Sequence, residues 1–329
     1  MDPIITNYLS ELEVGELRVF ENMGIIPLFT SVNSDPEYVS LKEALDEKLI
    51  TITEVGQAGS VPELQVVNTS PLSILLLDGE ELAGAKQNRV LNTSILLKGH
   101  SETIIPVSCT ERGRWAYTSA TFSDTDFLMS HRLRSEKSST VTGSLRTAQS
   151  YSSDQIRVWA GIERMHQDTG TLSRTSAMAD VYAAKSKELD EYLQAFAYVT
   201  HQRGSLIAIN GQFVGLDVIS REKVYETLHP KLVKSYAMDA LLQKKDPFDE
   251  PSVGQAKAFL QEIQECEENK FDSIGQGHDY RFEGERVIGS ALVFAQKVIH
   301  LAFFRLAKSE RVDNMSGYLQ RRDFRRSGR

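Results

Sequence analysis

Short apolar runs rich in β-branched residues alternate with turn residues over the first third of the chain. This pattern is typical of β-strands, and an Asp-Gly pair between two runs, as at Asp78-Gly79, predicts a hairpin turn. Along residues 102–109 the apolar side chains recur with period two as far as Cys109, so they should share one face of a strand. The predicted strands are residues 17–20, 25–29, 51–55, 63–68, 72–77, 89–97 and 102–109.

Helical patterns with polar starts appear mainly after residue 150. Ser40, Ser152 and Ser252 are each followed three residues later by Glu or Gln, which predicts a capping box at the start of a helix. Gly170 is typical of a helix end. The predicted helices are a short one after Ser40, residues 153–169, residues 176–199, one opening at Ser220 that Pro230 divides or kinks, and a last one after Ser252.

Two further hairpins are predicted, about Asn210-Gly211 and near Ala295-Gln296, because apolar runs flank a tight turn in both places. Residues 119–151 break the pattern. They are rich in Ser and Thr and carry basic side chains with few acids, which predicts a long loop.

The order of these elements predicts an α+β protein, with an antiparallel β-sandwich or barrel-like N-terminal part, a helical middle and C-terminal hairpins that complete a sheet. We expect one composite domain. Its parts are a β-rich part at 1–118 with the candidate site, a Ser/Thr-rich basic loop at 119–151, an α+β part at 152–305 with a linker at 244–252, and a basic tail at 306–329.

Composition and charge narrow the class of protein. The chain has 329 residues, of which 41% are hydrophobic and 25% charged, as in ordinary soluble globular proteins. A net charge of -8 argues against nucleic acid or an anionic membrane as a partner of the whole molecule. Two cysteines do not make a disulfide framework or a zinc site. With neither a secretory signal nor a run of about 18 apolar residues, a cytoplasmic protein is expected.

The densest polar run lies between two apolar segments, in DGEELAGAKQNRVLNTSILL (residues 78–97), and PVSCTERGRW (106–115) follows it. Lys and Arg bind phosphate or carboxylate, Gln and Asn suit a nucleobase edge or an amide, and Trp can stack on a ring. The alternative is a solvated turn and edge strand. The candidate ligand-binding residues are Glu80, Lys86, Gln87, Asn88, Arg89, Asn92, Arg114 and Trp115.

Two carboxylates are candidate general bases, Glu81 and Glu111. Glu80 and Glu81 are neighbours on a predicted strand, so they should point to opposite faces and only one should reach a given pocket. Cys109 could be a nucleophile beside Glu111, but its alternation with apolar residues favours a buried thiol. The histidines show no metal-ligand spacing, so no metal site is predicted, and the sequence identifies no cofactor.

These two motifs resemble the ARG and rhodanese-phosphatase-superfamily-associated protein domain family, an uncharacterised bacterial family. The resemblance covers roughly residues 8–304 and continues through SDQIRVWAGI, SLIAINGQFVGLDVI, LHPKLVKSYAMDAL and ERVIGSALVFAQKVIHLAFF. The family name records association with ADP-ribosylglycohydrolases and phosphatases. The resemblance therefore implies a role near NAD or ADP-ribose metabolism, or in a bacterial defence system that uses such nucleotides.

Three functions fit these observations. The first is binding or sensing of an NAD- or ADP-ribose-type small molecule, with Lys86 or Arg89 on phosphate and Trp115 stacking. The second is hydrolysis of such compounds, with Glu81 or Glu111 as base. The third is a scaffold that forms homo-oligomers or holds a protein partner through the polar run.

Overall fold

The computed structural model describes residues 1–32, 36–56, 60–243 and 250–306. It is the α+β protein that the sequence predicts, with helices in the middle and C-terminal strands that join a sheet begun near the N-terminus. The helices are α1 (Pro3–Ser10), α2 (Leu41–Asp46), α3 (His131–Ala148), α4 (Gln155–Thr169), α5 (Met178–Ala184), α6 (Ser186–Ala195), α7 (Glu222–Leu242) and α8 (Val253–Gln264). The strands are β1 (Glu13–Val14), β2 (Arg18–Phe20), β3 (Met23–Phe29), β4 (Tyr38–Ser40), β5 (Ile50–Glu54), β6 (Glu63–Asn68), β7 (Ser73–Leu76), β8 (Glu80–Gly84), β9 (Arg89–Leu91), β10 (Ile95–Leu97), β11 (Ser101–Cys109), β12 (Phe122–Leu128), β13 (Gly204–Ile209), β14 (Gln212–Ile219), β15 (Glu267–Asp272), β16 (His278–Glu283), β17 (Val287–Phe294) and β18 (Lys297–Arg305).

The largest sheet has nine strands in the order β1-β3-β13-β14-β18-β17-β16-β15, with β2 also paired to β3. Apolar clusters join α1 and α8 to one face and α3 to α7 to the other. Its two predicted hairpins are confirmed. Asn210-Gly211 joins β13 to β14, and Ala295-Gln296 joins β17 to β18, with positive φ at all four turn residues.

A six-stranded sheet in the order β12-β8-β9-β11-β6-β5 curls until its outer strands β12 and β5 approach each other. We call it the half-barrel. Its concave side holds an apolar cluster that includes Ile52, Leu64, Leu82 and Val107. Among the described residues, the remaining strands form a three-stranded sheet, β10-β7-β4, in which β7 and β4 are parallel.

The predicted hairpin at Asp78-Gly79 is wrong. A turn does form there, since the Glu80 amide donates to the Leu77 carbonyl. However, β7 pairs with β4 and β10, whereas β8 pairs with β12 and β9. The turn therefore connects two different sheets. The two carboxylates that follow β7 belong to Asp78 and Glu80. They form ion pairs with the buried Lys137 and Lys231.

The single strand predicted for 89–97 is also wrong, because β9 and β10 lie in different sheets. Asn92, Thr93 and Ser94 interrupt it. Each of these three side chains is buried and makes a hydrogen bond to another part of the chain. These bonds take the place of a continuous strand ladder.

Residues 119–151 are not a long loop. They contain β12 and the whole of α3, whose buried side includes the small polar residues Ser135, Ser138 and Thr142. Composition suggested a loop because such residues are usually exposed. Here they lie beside two buried cations, Arg134 and Lys137, that ion-pair with acids distant in the chain, Asp217 on β14 and Asp78 in the turn after β7.

Helix boundaries agree in part. The capping boxes of α2 at Ser40 and α8 at Ser252 are confirmed, but Asp154 rather than Ser152 caps α4, because its carboxylate accepts from the Ile156 and Arg157 amides. Helix α7 continues through Pro230. Part of the predicted linker, 244–249, and the tail from 307 lie outside the described residues.

Candidate functional site

Two charged side chains lie at one end of the concave side of the half-barrel. Glu54 is the last residue of β5, and Arg89 is the first residue of β9. The Arg89 side chain is 0% exposed and that of Glu54 is 3% exposed. Cys109 is the cross-strand partner of Arg89, and burial raises the pKa of its thiol. A thiol that stays protonated agrees with the buried Cys109 side chain that its alternation with apolar residues predicts.

The Arg89 guanidinium is incompletely hydrogen-bonded. Its Nη1 donates to Gln87 Oε1 at 3.0 Å and to the Asn88 carbonyl at 3.4 Å. Its Nε and Nη2 are buried and have no hydrogen-bond partner within the described parts of the chain. Nη2 lies 3.9 Å from Glu54 Oε1, and Glu54 Oε2 is likewise buried without a partner. Buried donors without acceptors are costly, so this pair is a candidate site for an incoming polar group.

Aromatic rings cover this end of the half-barrel. Trp115 and Tyr117 are 51% and 55% exposed. The Trp115 ring centroid lies 5.9 Å from Arg89 Cζ, and Lys86 Nζ lies 5.1 Å from the centroids of both rings. We call Glu54, Lys86, Arg89, Trp115 and Tyr117 the mouth cluster. It combines cations with exposed π surfaces, which suits an anion that carries a ring.

Arg114 braces the loops that carry the mouth cluster. Its guanidinium donates to the carbonyls of Ala85 and Ala116 at 2.7 and 3.0 Å, and it forms an ion pair with Glu111 at 2.6 Å. Asn88 joins the same network, since its Oδ1 accepts from Arg114 and its amide donates to Glu111. The structure therefore places Asn88, Glu111 and Arg114 in protein–protein hydrogen bonds beside the mouth.

Gln87 also bridges two parts of the chain. Its Nε2 donates to the Glu111 carbonyl at 2.9 Å while its Oε1 accepts from Arg89. Both ends of this amide are occupied, so Gln87 orients Arg89.

Glu80 lies away from the mouth cluster, in a buried ion cluster. Lys231 of α7 donates to Glu80 Oε1 at 2.7 Å and to Asp124 of β12 at 2.8 Å. Burial opposes the charge on Lys231, but the two carboxylates outweigh it and raise the pKa of this lysine. The cluster ties α7 to the half-barrel.

Glu81 faces the helices rather than the mouth. Its Oε1 accepts from the Thr110 hydroxyl at 2.6 Å, and its Oε2 is buried without a partner among the residues that the structure covers. Burial raises its pKa to about 8. Asn92 is also remote, because it donates to the Tyr151 carbonyl and accepts from Ser108.

The raised pKa of Glu81 predicts a pH-dependent stability. A carboxyl whose pKa rises from 4.5 to about 8 on folding stabilises the fold fully below 4.5 and loses this contribution as the pH rises through 8. The wild-type free energy of unfolding should fall by up to about 1.4 kcal/mol per pH unit over this range, and Glu81→Gln should remove that fall. Urea denaturation at about pH 5 and about pH 8 measures it. An equal pH dependence in both proteins would contradict it.

A second set of buried charges joins α3 to both large sheets. Arg134 donates to both oxygens of Asp217 on β14, at 3.0 and 2.8 Å, and Lys137 forms an ion pair with Asp78. His300 lies 3.5 Å from Asp217 through Nε2, and its Nδ1 lies 3.0 Å from the Ser94 hydroxyl. The Ser94, His300 and Asp217 side chains resemble a hydrolytic triad, but all three are buried and Asp217 is bound to Arg134. Their contacts are those of a structural network.

Sequence reasoning missed Glu54 and Tyr117 in the mouth cluster. A signal for Glu54 was present, because Ile50, Ile52 and Glu54 alternate and a carboxylate then occupies an inward position. Tyr117 follows Trp115 by two residues on an exposed loop, and nothing local distinguishes it from a surface residue.

No group of His, Cys, Asp or Glu side chains in the described residues could hold a metal ion. Within the same residues, no helix is both long and apolar enough to cross a membrane.

Comparison with known families gives one finding. The family model of the ARG and Rhodanese-Phosphatase-superfamily-associated Protein domain matches residues 11–304. The chain belongs to this family. The family domain contains the whole half-barrel and the mouth cluster. No similar chain was found among curated proteins or among solved structures.

Proposed function

We propose that the protein binds a nucleotide-type anion, of the NAD or ADP-ribose class, at the mouth cluster. The observation that carries the proposal is the buried Arg89 guanidinium, whose Nε and Nη2 have no hydrogen-bond partner in the described chain. An incoming acceptor would satisfy these donors, and a hydrogen bond to a charged group contributes about 1.5–3 kcal/mol.

Lys86, Trp115 and Tyr117 form the rim of the mouth cluster. The two rings of this rim are an argument for a ligand that itself carries a ring. Trp115 and Tyr117 are both about half exposed, and Lys86 lies against both rings. A base stacked on an aromatic side chain contributes about 1–3 kcal/mol in proteins that bind single-stranded nucleic acid. A phosphate beside Lys86 and a base on Trp115 would use both features at once.

The pKa values and contacts of the two candidate bases, Glu111 and Glu81, favour ligand binding over hydrolysis as the function. Burial alone would raise the pKa of Glu111, but hydrogen bonding to Arg114 outweighs it and lowers the pKa, so Glu111 is a weak base. Glu81, with a pKa of about 8, retains its proton at neutral pH and contacts Thr110 rather than the mouth cluster. Both glutamates are therefore poor candidates for a base that activates water.

Isothermal titration calorimetry with ADP-ribose, NAD and ADP tests the proposal. We expect saturable heat with at least one ligand and a Kd in the micromolar range, equivalent to about 8 kcal/mol. Chromatography of the same mixtures should recover the ligand intact. No heat with any of the three at about 1 mM would contradict binding, and conversion of the ligand to products would favour the hydrolase.

A further inference from the structure

Glu54 and Arg89 are the buried members of the mouth cluster, and we call them its floor. They place hydrogen-bond donors and an acceptor side by side. Arg89 Nη2 and Glu54 Oε1 are 3.9 Å apart, which is too long for a hydrogen bond. The unsatisfied atoms are Nε and Nη2 of Arg89 and Oε2 of Glu54. The polar group that fits there must accept from the guanidinium and donate to the carboxylate.

A phosphate does not meet this requirement. It would accept from Arg89, but an ionised phosphate has no proton to give Glu54. Two like charges about 4 Å apart repel by about 1–4 kcal/mol at the dielectric constants of water and of a protein surface. A hydroxyl has both an O–H donor and acceptor lone pairs, and neighbouring sugar hydroxyls would satisfy Arg89 and Glu54 together.

The rim differs from the floor. Lys86 stands by Trp115 and Tyr117, and the nearby Glu111 carboxylate is already engaged by Arg114 at 2.6 Å. A phosphate beside the Lys86 ammonium therefore meets a cation, and the Glu111 carboxylate near it is already paired with Arg114. Trp115 lies over Arg89 from a loop and is 51% exposed, so moving its ring away from the floor gives up little burial.

We propose, building on the nucleotide-binding function above, that Glu54 is a specificity-determining residue for nucleotides with a hydroxyl-bearing sugar beyond their phosphates. That sugar occupies the floor between Glu54 and Arg89, a phosphate binds at Lys86, and the base stacks at the aromatic rim. Nucleotides that end in a phosphate place a charge on the floor and bind more weakly.

Calorimetry with ADP-ribose, ADP and ATP on the wild type and on Glu54→Gln tests this selectivity. The wild type should bind ADP-ribose at least about tenfold more tightly than ADP or ATP. Glu54→Gln should reduce the ratio to about threefold or less, because the amide no longer repels phosphate and is a weaker acceptor. Glu63→Gln, at an exposed position that opens β6 of the half-barrel, is the matched control and should retain the wild-type ratio.

The outcomes separate this inference from the function on which it rests. Equal wild-type affinity for the three nucleotides, or an unchanged ratio in Glu54→Gln, would overturn the role of Glu54 while leaving binding intact. No binding of any nucleotide by the wild type would overturn both.

Discussion

Asp217→Ala is expected to lower the free energy of unfolding by about 3–5 kcal/mol. Asp217 accepts both hydrogen bonds of the Arg134 fork, and neither side chain is more than 1% exposed. Tyr236 also donates to this carboxylate, at 2.6 Å. Without it, a guanidinium and a hydroxyl remain buried without their acceptor. Urea denaturation followed by circular dichroism measures the change.

Asp190→Ala is the matched control. It removes the carboxylate that pairs with Lys234 of α7 at 2.9 Å. The Asp190 side chain is 53% exposed. An exposed pair contributes about 0–1 kcal/mol, so this variant should unfold close to the wild type. If Asp217→Ala were no more destabilised than Asp190→Ala, the buried network would not hold α3 in place.

The same carboxylate predicts sensitivity to acid. Burial would raise the pKa of Asp217, but Arg134 outweighs it and lowers the pKa from 3.8 to about 2. A carboxyl with a depressed pKa stabilises the fold above its unfolded value and loses that contribution as the pH falls. Wild-type stability should therefore drop between about pH 4 and about pH 2 more than that of Asp217→Ala.

Arg89→Gln is expected to weaken nucleotide binding by about 10–100-fold, as when a hydrogen bond to a charged group worth about 1.5–3 kcal/mol is lost. The reason is that Nε and Nη2 have no hydrogen-bond partner in the described chain, so an acceptor on the ligand would satisfy them. The Kd of ADP-ribose, measured by calorimetry, gives the result. Arg89→Lys retains the charge without the planar fork and should bind with intermediate affinity.

Arg132→Gln is the control for lost positive charge. Arg132 is 48% exposed and pairs with Glu136 on α3, apart from the mouth cluster. Its Kd should stay within about twofold of the wild type, since an exposed charge is screened. Equal affinities of Arg89→Gln and the wild type would remove Arg89 from the site.

Local signals explain what could be predicted from the sequence. Asn and Gly both adopt positive φ readily, and Asn210 and Gly211 do so here. These two residues were therefore enough to predict the hairpin between β13 and β14. Helix α3 could not be predicted in this way. Its buried Arg134 and Lys137 form ion pairs with Asp217 and Asp78, both more than 50 positions away in the chain, so composition alone resembled a loop.

The candidate site was only partly predictable for the same reason. Lys86, Arg89 and Trp115 meet because β9 begins at the mouth cluster and its antiparallel neighbour β11 ends there. Residues adjacent to them in sequence look equally polar, and only their contacts show that Asn88 and Arg114 bind the protein itself. Glu54 reaches Arg89 from the far edge of the half-barrel, which depends on the curl of the sheet.

The chain has two tryptophans, Trp115 at the mouth cluster and Trp159 on α4, and this permits a direct test of the central claim. Trp159→Phe leaves Trp115 as the only indole. Titration of Trp159→Phe with ADP-ribose should quench or shift the emission saturably, with the Kd found by calorimetry. Unchanged Trp115 emission at saturating ligand would contradict binding at the mouth cluster.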